Sequence, residues 1–228
     1  MISTKYHIIH NYPRNYPFYR KIIDNIIFFI SATIIHPRKN LLTQQDLRKA
    51  KYKLRKGDII LIGILKTILS QIIPGVINHS AMYVGRRKFI HSNAGGVHYM
   101  SFHELFTEND TLAIVRIPKS VKERRKIIRQ AIKYAKNQYG KPYDFEFKKG
   151  SKCFFCTELV NEAYKEAGYK TGFSSLRKYR SISKKFEEKI TSAADALLPA
   201  DFLKGRFELV FLSHNLRVKK KEFILVKD

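Results

Sequence analysis

A thiol and two imidazoles stand in an order that suits acyl transfer. His79 lies in Asn78-His79-Ser80-Ala81-Met82-Tyr83-Val84-Gly85, His91 follows twelve positions later, and Cys156 lies 77 positions after His79. In such chemistry a cysteine attacks a carbonyl as its thiolate, an imidazole takes the thiol proton, and a second polar group holds that imidazole in place. Each residue alone has an ordinary structural reading. A cysteine at the start of a buried helix packs as a small apolar group, and a lone histidine is a hydrogen-bonded core or surface residue. The combination, with the elements that carry it, makes a cysteine hydrolase the reading of choice.

Those elements follow from the local pattern. After Lys56-Gly57-Asp58, the run Ile59-Ile60-Leu61-Ile62 reads as a buried strand. Pro74-Gly75 marks a turn, and His79 to Val84 reads as a second strand ended by Gly85. Lys88 to His91 is a third strand, paired with the second through Gly85-Arg86-Arg87, so the two histidines fall on neighbouring strands before Gly95-Gly96 turns the chain again. Leu112 to Ile117 is a further strand, stopped by Pro118. Ser120-Val121-Lys122-Glu123 has the form of a capping box before Ile127, Ile128, Ala131, Ile132 and Ala135, which recur at helical spacing until Gly140. Cys156 opens another helix, whose Leu159, Val160, Ala163, Tyr164 and Ala167 share a face and whose stop is Gly168. A helix N-terminus carries partial positive charge and free N–H groups, which favour thiolate over thiol and make the Cys156 N–H an oxyanion donor.

With 228 residues, 44% of them hydrophobic, the chain can bury one sizeable core. Residues 1–50 read as an N-terminal helical extension and residues 51–228 as the catalytic domain. The 44 Lys and Arg against 19 Asp and Glu leave a formal charge of +25, a field that draws anionic surfaces. The basic residues are spread along the chain, with neither a zinc finger nor an aromatic RNA-binding platform, which disfavours nucleic acid; a compositional bias giving a solvated basic surface is the plain reading, with an anionic membrane surface as the alternative partner. Ile22 to Ile35 is strongly apolar but short of the roughly twenty residues that span a bilayer. Ile23, Ile26, Ile27, Ile30 and Ile34 share one helical face, which predicts a helix packed on the core; a helix lying on a membrane surface is the alternative. Arg14, Arg20 and Lys21 ahead of that run keep a secretory signal in view, although no small-x-small cleavage site follows. A cytoplasmic or membrane-associated location is favoured, with secretion left open.

Cys153 and Cys156 are the two cysteines, too close in sequence for a structural disulfide framework. The stretch before them lacks the strand of a thioredoxin-like redox site. Zinc held by both cysteines with His79 and His91 has the right number of ligands but is the weaker reading, so neither metal nor cofactor is expected.

Five blocks resemble, in order, the permuted papain-like amidases typified by YiiX and YaeF: Lys56 to Leu61, Asn78 to Gly85, Tyr143-Asp144-Phe145, Cys156 to Val160, and Leu198 to Phe202 with Phe207 to Leu212. The resemblance implies an α+β class, with a circularly permuted papain-like (NlpC-like) fold in which an antiparallel sheet packs with helices. It also implies Cys156 as nucleophile and His79 as base. Asp58 and Tyr143 are candidate substrate-binding residues, although Tyr143 reads equally as part of the turn after Gly140-Lys141-Pro142. The third polar position in such amidases is often Glu, and His91 stands there in this chain. Two histidines before the cysteine are similar to the lecithin-retinol acyltransferase branch of the same superfamily. The substrate then carries an amide or an ester, and a phospholipid acyl hydrolase or acyltransferase at anionic membranes is the runner-up. A non-catalytic binding module on the same fold is the third reading.

Overall fold

The structure, a computed structural model, describes residues 3–4, 7–34, 41–68, 70, 75–145, 152–173 and 197–226. Ile35 and Pro74 lie outside them. In chain order the elements are β1 (Ser3–Thr4), α1 (Phe18–Ala32), β2 (Thr33–Ile34), α2 (Gln44–Lys53), β3 (Ile59–Gly63), β4 (His79–Gly85), β5 (Lys88–Asn93) and β6 (Gly96–Ser101). There follow α3 (Phe102–Glu108), β7 (Thr111–Arg116), α4 (Arg124–Asn137), α5 (Cys156–Glu166), a 3-10 turn (Pro199–Leu203), β8 (Glu208–Leu212), β9 (Leu216–Lys219) and β10 (Glu222–Leu225).

Six strands form one antiparallel sheet in the order β6-β5-β4-β3-β7-β8. Strand β3 is buried along its whole length, and its alternation sorts the core into two layers. Ile59 and Leu61 pack with Met82, Leu159, Val160 and Ala163 on the face covered by α4 and α5. Ile60 and Ile62 pack with Ala50, Leu105 and Leu112 on the face covered by α2 and α3. A strand that is apolar on both faces needs this arrangement, because either side left bare would expose branched side chains to water. The α+β class, with helices against an antiparallel sheet, is therefore the architecture observed.

Three local expectations change. Ser120 caps no helix: Val121 N–H donates to the Pro118 carbonyl in a turn, and α4 starts only at Arg124, behind Glu123 at φ 53°. The isoleucines of α1 do not face the core. Ile23, Ile26, Ile27 and Ile30 are exposed, while Asp24 is buried. The polar residues turn inward because the preceding segment supplies their partners: the Tyr16 hydroxyl donates to Asp24 Oδ2 at 2.6 Å, Ile9 N–H donates to Asn25 Oδ1 at 2.9 Å, and Asn25 Nδ2 donates to the Tyr12 hydroxyl at 2.9 Å. No helix among the described residues is long and apolar enough to cross a membrane.

The third concerns Asp58, expected near the substrate. Arg116 grips both of its oxygens, Nε to Oδ1 at 2.8 Å and a terminal nitrogen to Oδ2 at 2.6 Å, and Arg55 N–H adds a bond to Oδ2 at 2.7 Å. Register places His79 opposite Ile62, so Asp58 lies four residues back along β3, roughly 13 Å away at strand rise. Its task is to neutralise Arg116 inside the fold. Burial pushes its carboxyl pKa up, and Arg116 opposes that shift. Replacing Asp58 by Ala leaves the guanidinium without its counter-charge and should destabilise the fold by about 3 kcal/mol in urea unfolding; a loss of under about 1 kcal/mol would mean the pair behaves like an exposed one.

Candidate active site

The site is assembled by strand register. Arg86 and Arg87 sit at φ 52° and 58°, the left-handed pair that a two-residue hairpin turn requires, and they fold β5 back on β4. The β5–β6 pairing then places His91 directly opposite His98. Opposed residues of an antiparallel pair share a face, so the rings of His79, His91 and His98 line up across three strands. His79 Nε2 lies 2.8 Å from His91 Nδ1, and His91 Nε2 lies 3.0 Å from His98 Nε2. His98 Nδ1 ends the row, 2.9 Å from the Gly96 carbonyl.

That last contact gives the row a direction. A carbonyl can only accept, so His98 Nδ1 carries a hydrogen and donates it to Gly96. Where His98 Nε2 carries no second hydrogen, it accepts that of His91 Nε2. His91 Nδ1 is then the acceptor for His79 Nε2–H. One lone pair is left over, on His79 Nδ1. Burial lowers the pKa of His79 to about 4, and lowers that of His91 well below its usual value, in each case with a smaller contribution from neighbouring histidines. Both rings are therefore neutral at pH 7.

Alternation turns Ser80 and Ser92 to the other face, where α5 packs. The Ser92 hydroxyl donates to the Phe154 carbonyl at 2.6 Å, fixing the approach to α5. The far side of that approach is held by backbone: Phe154 N–H donates to the Pro142 carbonyl at 3.2 Å and Asp144 N–H to the Phe154 carbonyl at 3.3 Å. The Gly140 to Tyr143 segment is itself laid on β6, where Val97 N–H donates to the Lys141 carbonyl at 2.8 Å. Gly96 permits this approach, since a Cβ there would stand 2.4 Å from that same carbonyl.

Cys156 is the first residue of α5 and is 8% exposed. Burial pushes its thiol pKa up, opposed by the N–H and hydroxyl of Ser80 and by the N–H groups of Thr157 and Cys156 itself. The sulfur thus rests against the peptide that joins His79 to Ser80. The hydrogen bonds of the His79 and His91 rings run to other histidines, so thiol and base meet through this peptide and not yet through a ring nitrogen. Tyr143 lies within electrostatic reach of the sulfur: burial raises its pKa well above the usual value, and negative charge on Cys156 adds to the shift. Cys153, half-buried and near Asp144 and Glu158, has its pKa raised to about 11, mainly by burial, and is a poor source of thiolate.

The structure therefore gathers His79 and His91 by direct contact, Cys156 through the backbone and Tyr143 within electrostatic reach of the sulfur, and it leaves Asp58 outside. The residue that sequence reasoning missed is His98. Its signal was the Gly95-Gly96 turn, which sets His98 opposite His91 once β5 and β6 are paired residue by residue. Among the described residues no group of three or more His, Cys, Asp or Glu side chains is arranged to hold a metal ion.

Neutral buried histidines make stability depend on pH. In the unfolded chain they bind protons below about pH 6.5, whereas folded His79 does so only below about 4. Between these limits the unfolded state holds more protons, so stability present above the upper limit is lost as pH falls through the window. Thermal melts from neutral pH down to about 4 should show a falling Tm, and His79→Gln should flatten the fall; a Tm that stays level in the parent chain would contradict the buried neutral rings.

No curated protein matches this chain. Among solved structures it is similar to the crystal structure of metalloprotein yiiX from Escherichia coli O157:H7, with a TM-score of 0.56 and 21% sequence identity over 70% of this chain and 97% of that one. At that identity the likeness speaks for the fold, an α+β sheet-and-helix architecture shared along nearly the whole E. coli chain. A family profile reaches further: residues 53–210, well over half of the 228 and spanning His79, His91, His98, Tyr143 and Cys156, match the permuted papain-like amidase enzymes, and the chain belongs to that YaeF/YiiX, C92 family.

Proposed function

We propose that this chain is a cysteine hydrolase of amide or ester bonds, working through a thioester on Cys156 with His79 as general base. The observation that carries the reading is the meeting of Cys156, at the start of a helix, with the His79–Ser80 peptide, while a directed histidine row leaves a lone pair on His79 Nδ1. Burial raises the thiol pKa and lowers that of the imidazole, so the resting pair is uncharged. The proton moves as the attack occurs. His79 is the first residue of β4, with its ring on the face opposite the sulfur, so the base acts only when that ring turns past the strand end to reach the thiol.

In the first half-reaction His79 Nδ1 takes the thiol proton, the S–C bond forms, and the carbonyl oxygen gains negative charge. The Cys156 N–H, unpaired within the first turn of α5, faces that charge together with the positive end of the helix. The C–N or C–O bond then breaks, and the leaving group departs with the proton from His79. In the second half-reaction His79 takes a proton from water, the hydroxide attacks the thioester, and the acid leaves as the thiol is restored. The Ser80 hydroxyl, buried and without a hydrogen-bond partner in the structure, is placed to stabilise the forming thiolate. His91 and His98 hold the His79 ring in the tautomer this cycle needs, and Tyr143 borders the place where the acyl group would sit.

The word metalloprotein belongs to the E. coli relative. Two nitrogens on one tetrahedral zinc stand about 3.3 Å apart, and His91 offers both of its nitrogens to other rings at 2.8 and 3.0 Å. The row suits proton transfer better than ligation, and no step above runs through a metal. A lipid ester, with hydrolysis or transfer to an acceptor, is the second reading of the substrate. The exposed apolar face of α1 favours it.

Electrophilic amide and ester probes, followed by intact mass, should reveal an acyl adduct on Cys156 that Cys156→Ser abolishes and Cys153→Ser retains. General-base assistance is worth about 100-fold or more, so His79→Ala should lower kcat by at least that factor, and His98→Phe should lower kcat with little change in KM. A folded chain whose Cys156 resists every probe would instead fit a binding module.

A further inference from the structure

Helix α1 is amphipathic in the inverted sense. At 3.6 residues per turn, Phe18, Ile22, Ile23, Ile26, Ile27 and Ile30 fall on one half of its circumference. Their exposures run from 39% at Ile23 to 76% at Phe18. The other half carries Arg20, Lys21, Asp24, Asn25 and Ser31, and Asp24 and Asn25 there hold the helix onto the segment before it. Polar anchoring on one side and an uninterrupted apolar face on the other is the reverse of what a helix needs merely to stay folded in water.

Charge narrows what that face can meet. Residues 1–45 contain six Lys and Arg (Lys5, Arg14, Arg20, Lys21, Arg38 and Lys39) and a single acid, Asp24. That acid is 5% exposed and bonded to the Tyr16 hydroxyl, so the outer surface of α1 shows no negative charge. Cations at the border of an apolar helical face reach lipid headgroups while the apolar side chains enter the acyl boundary. A second copy of this chain, also at +25, would bring like charge to the same place. The helix has 15 residues, a length suited to lying in an interface and not to crossing it.

The helix is also coupled to the site. Tyr12 and Tyr16, in the segment that holds α1, contact the ring of Phe145 at 5.4 and 6.5 Å between centroids, and Phe145 contacts Tyr143 at 5.0 Å. Asn11 Nδ2 donates to the carbonyls of Gly95 and Gly140, at the turn beside His98 and at the start of the segment that carries Tyr143. A surface that receives α1 therefore lies alongside the Tyr143 side of the site.

We infer that the apolar face of α1 is a docking surface for an anionic phospholipid bilayer, which holds the Cys156 site at the lipid interface. The inference concerns where the protein works and stands whether or not the hydrolase reading holds. The chain contains no tryptophan, so Phe18→Trp introduces a single reporter on the face itself. With the Cys156→Ser background removing any turnover, this protein is mixed with vesicles of phosphatidylcholine alone or of phosphatidylcholine with phosphatidylglycerol. The expected result is a blue-shifted tryptophan and co-sedimentation with the anionic vesicles only, with affinity reduced about tenfold or more by Ile23→Ser with Ile26→Ser. Circular dichroism and Tm of that double variant confirm that it remains folded. Binding that the double variant leaves unchanged would overturn the inference in favour of diffuse charge. A concentration-dependent dimer lost in the double variant, with no vesicle binding, would overturn it in favour of a second copy of the chain.

Discussion

A backbone carbonyl accepts hydrogen bonds and cannot give one, and at Gly96 this constraint sets the direction of everything linked to it. His98 must present a hydrogen there; with its other nitrogen bare, His91 presents one to His98 and His79 presents one to His91. Three rings that could each adopt two tautomers are reduced to one arrangement, with the free lone pair at the end of the row. Desolvation keeps His79 and His91 neutral, because a proton entering either ring would have to be stripped of water beside other imidazoles. Chemistry at Cys156 thus depends on a carbonyl two strands away from the thiol's own contact on β4.

The sheet is what makes such a row available. Pairing of β4, β5 and β6 sets the three rings on one face, and the same alternation gives Ser80 and Ser92 to the opposite face, where one meets the sulfur and the other ties the entry of α5. A shift of one residue in either hairpin would exchange the two sets. The burial of β3 on both faces resists that shift, since every slipped register would present Ile59 to Ile62 to the wrong layer. Core packing and catalytic geometry are in this sense a single constraint.

Much of this was legible in the sequence, for local reasons. The spacing of His79 and His91 brackets a two-residue turn, so their proximity follows from hairpin geometry alone. Cys156 at a helix start follows from the apolar stripe behind it and Gly168 after it. His98 was not legible in the same way, because its partner depends on a second hairpin whose register the Gly95-Gly96 turn leaves open until both strands are paired. Asp58 was misplaced because a sequence block shows which residues travel together but not which of them face a buried arginine. For α1, periodicity found the apolar face correctly and could not say what it faces. That depended on Tyr12, Tyr16 and Ile9 supplying partners to the polar side. The Ser120 cap failed for a related reason: the turn after Pro118 took the serine before the helix could use it.

The direction of the histidine row is the claim on which the mechanism rests, and ring nitrogens report it directly. In the folded, uninhibited protein at neutral pH, nitrogen-15 shifts of the three imidazoles distinguish a protonated from an unprotonated position without any need for turnover. The account predicts hydrogen on Nδ1 of His98 and on Nε2 of both His91 and His79, leaving His79 Nδ1 bare. Hydrogen found on His79 Nδ1, with Nε2 accepting from His91, would contradict it, because the imidazole assigned as base would then have no lone pair to offer.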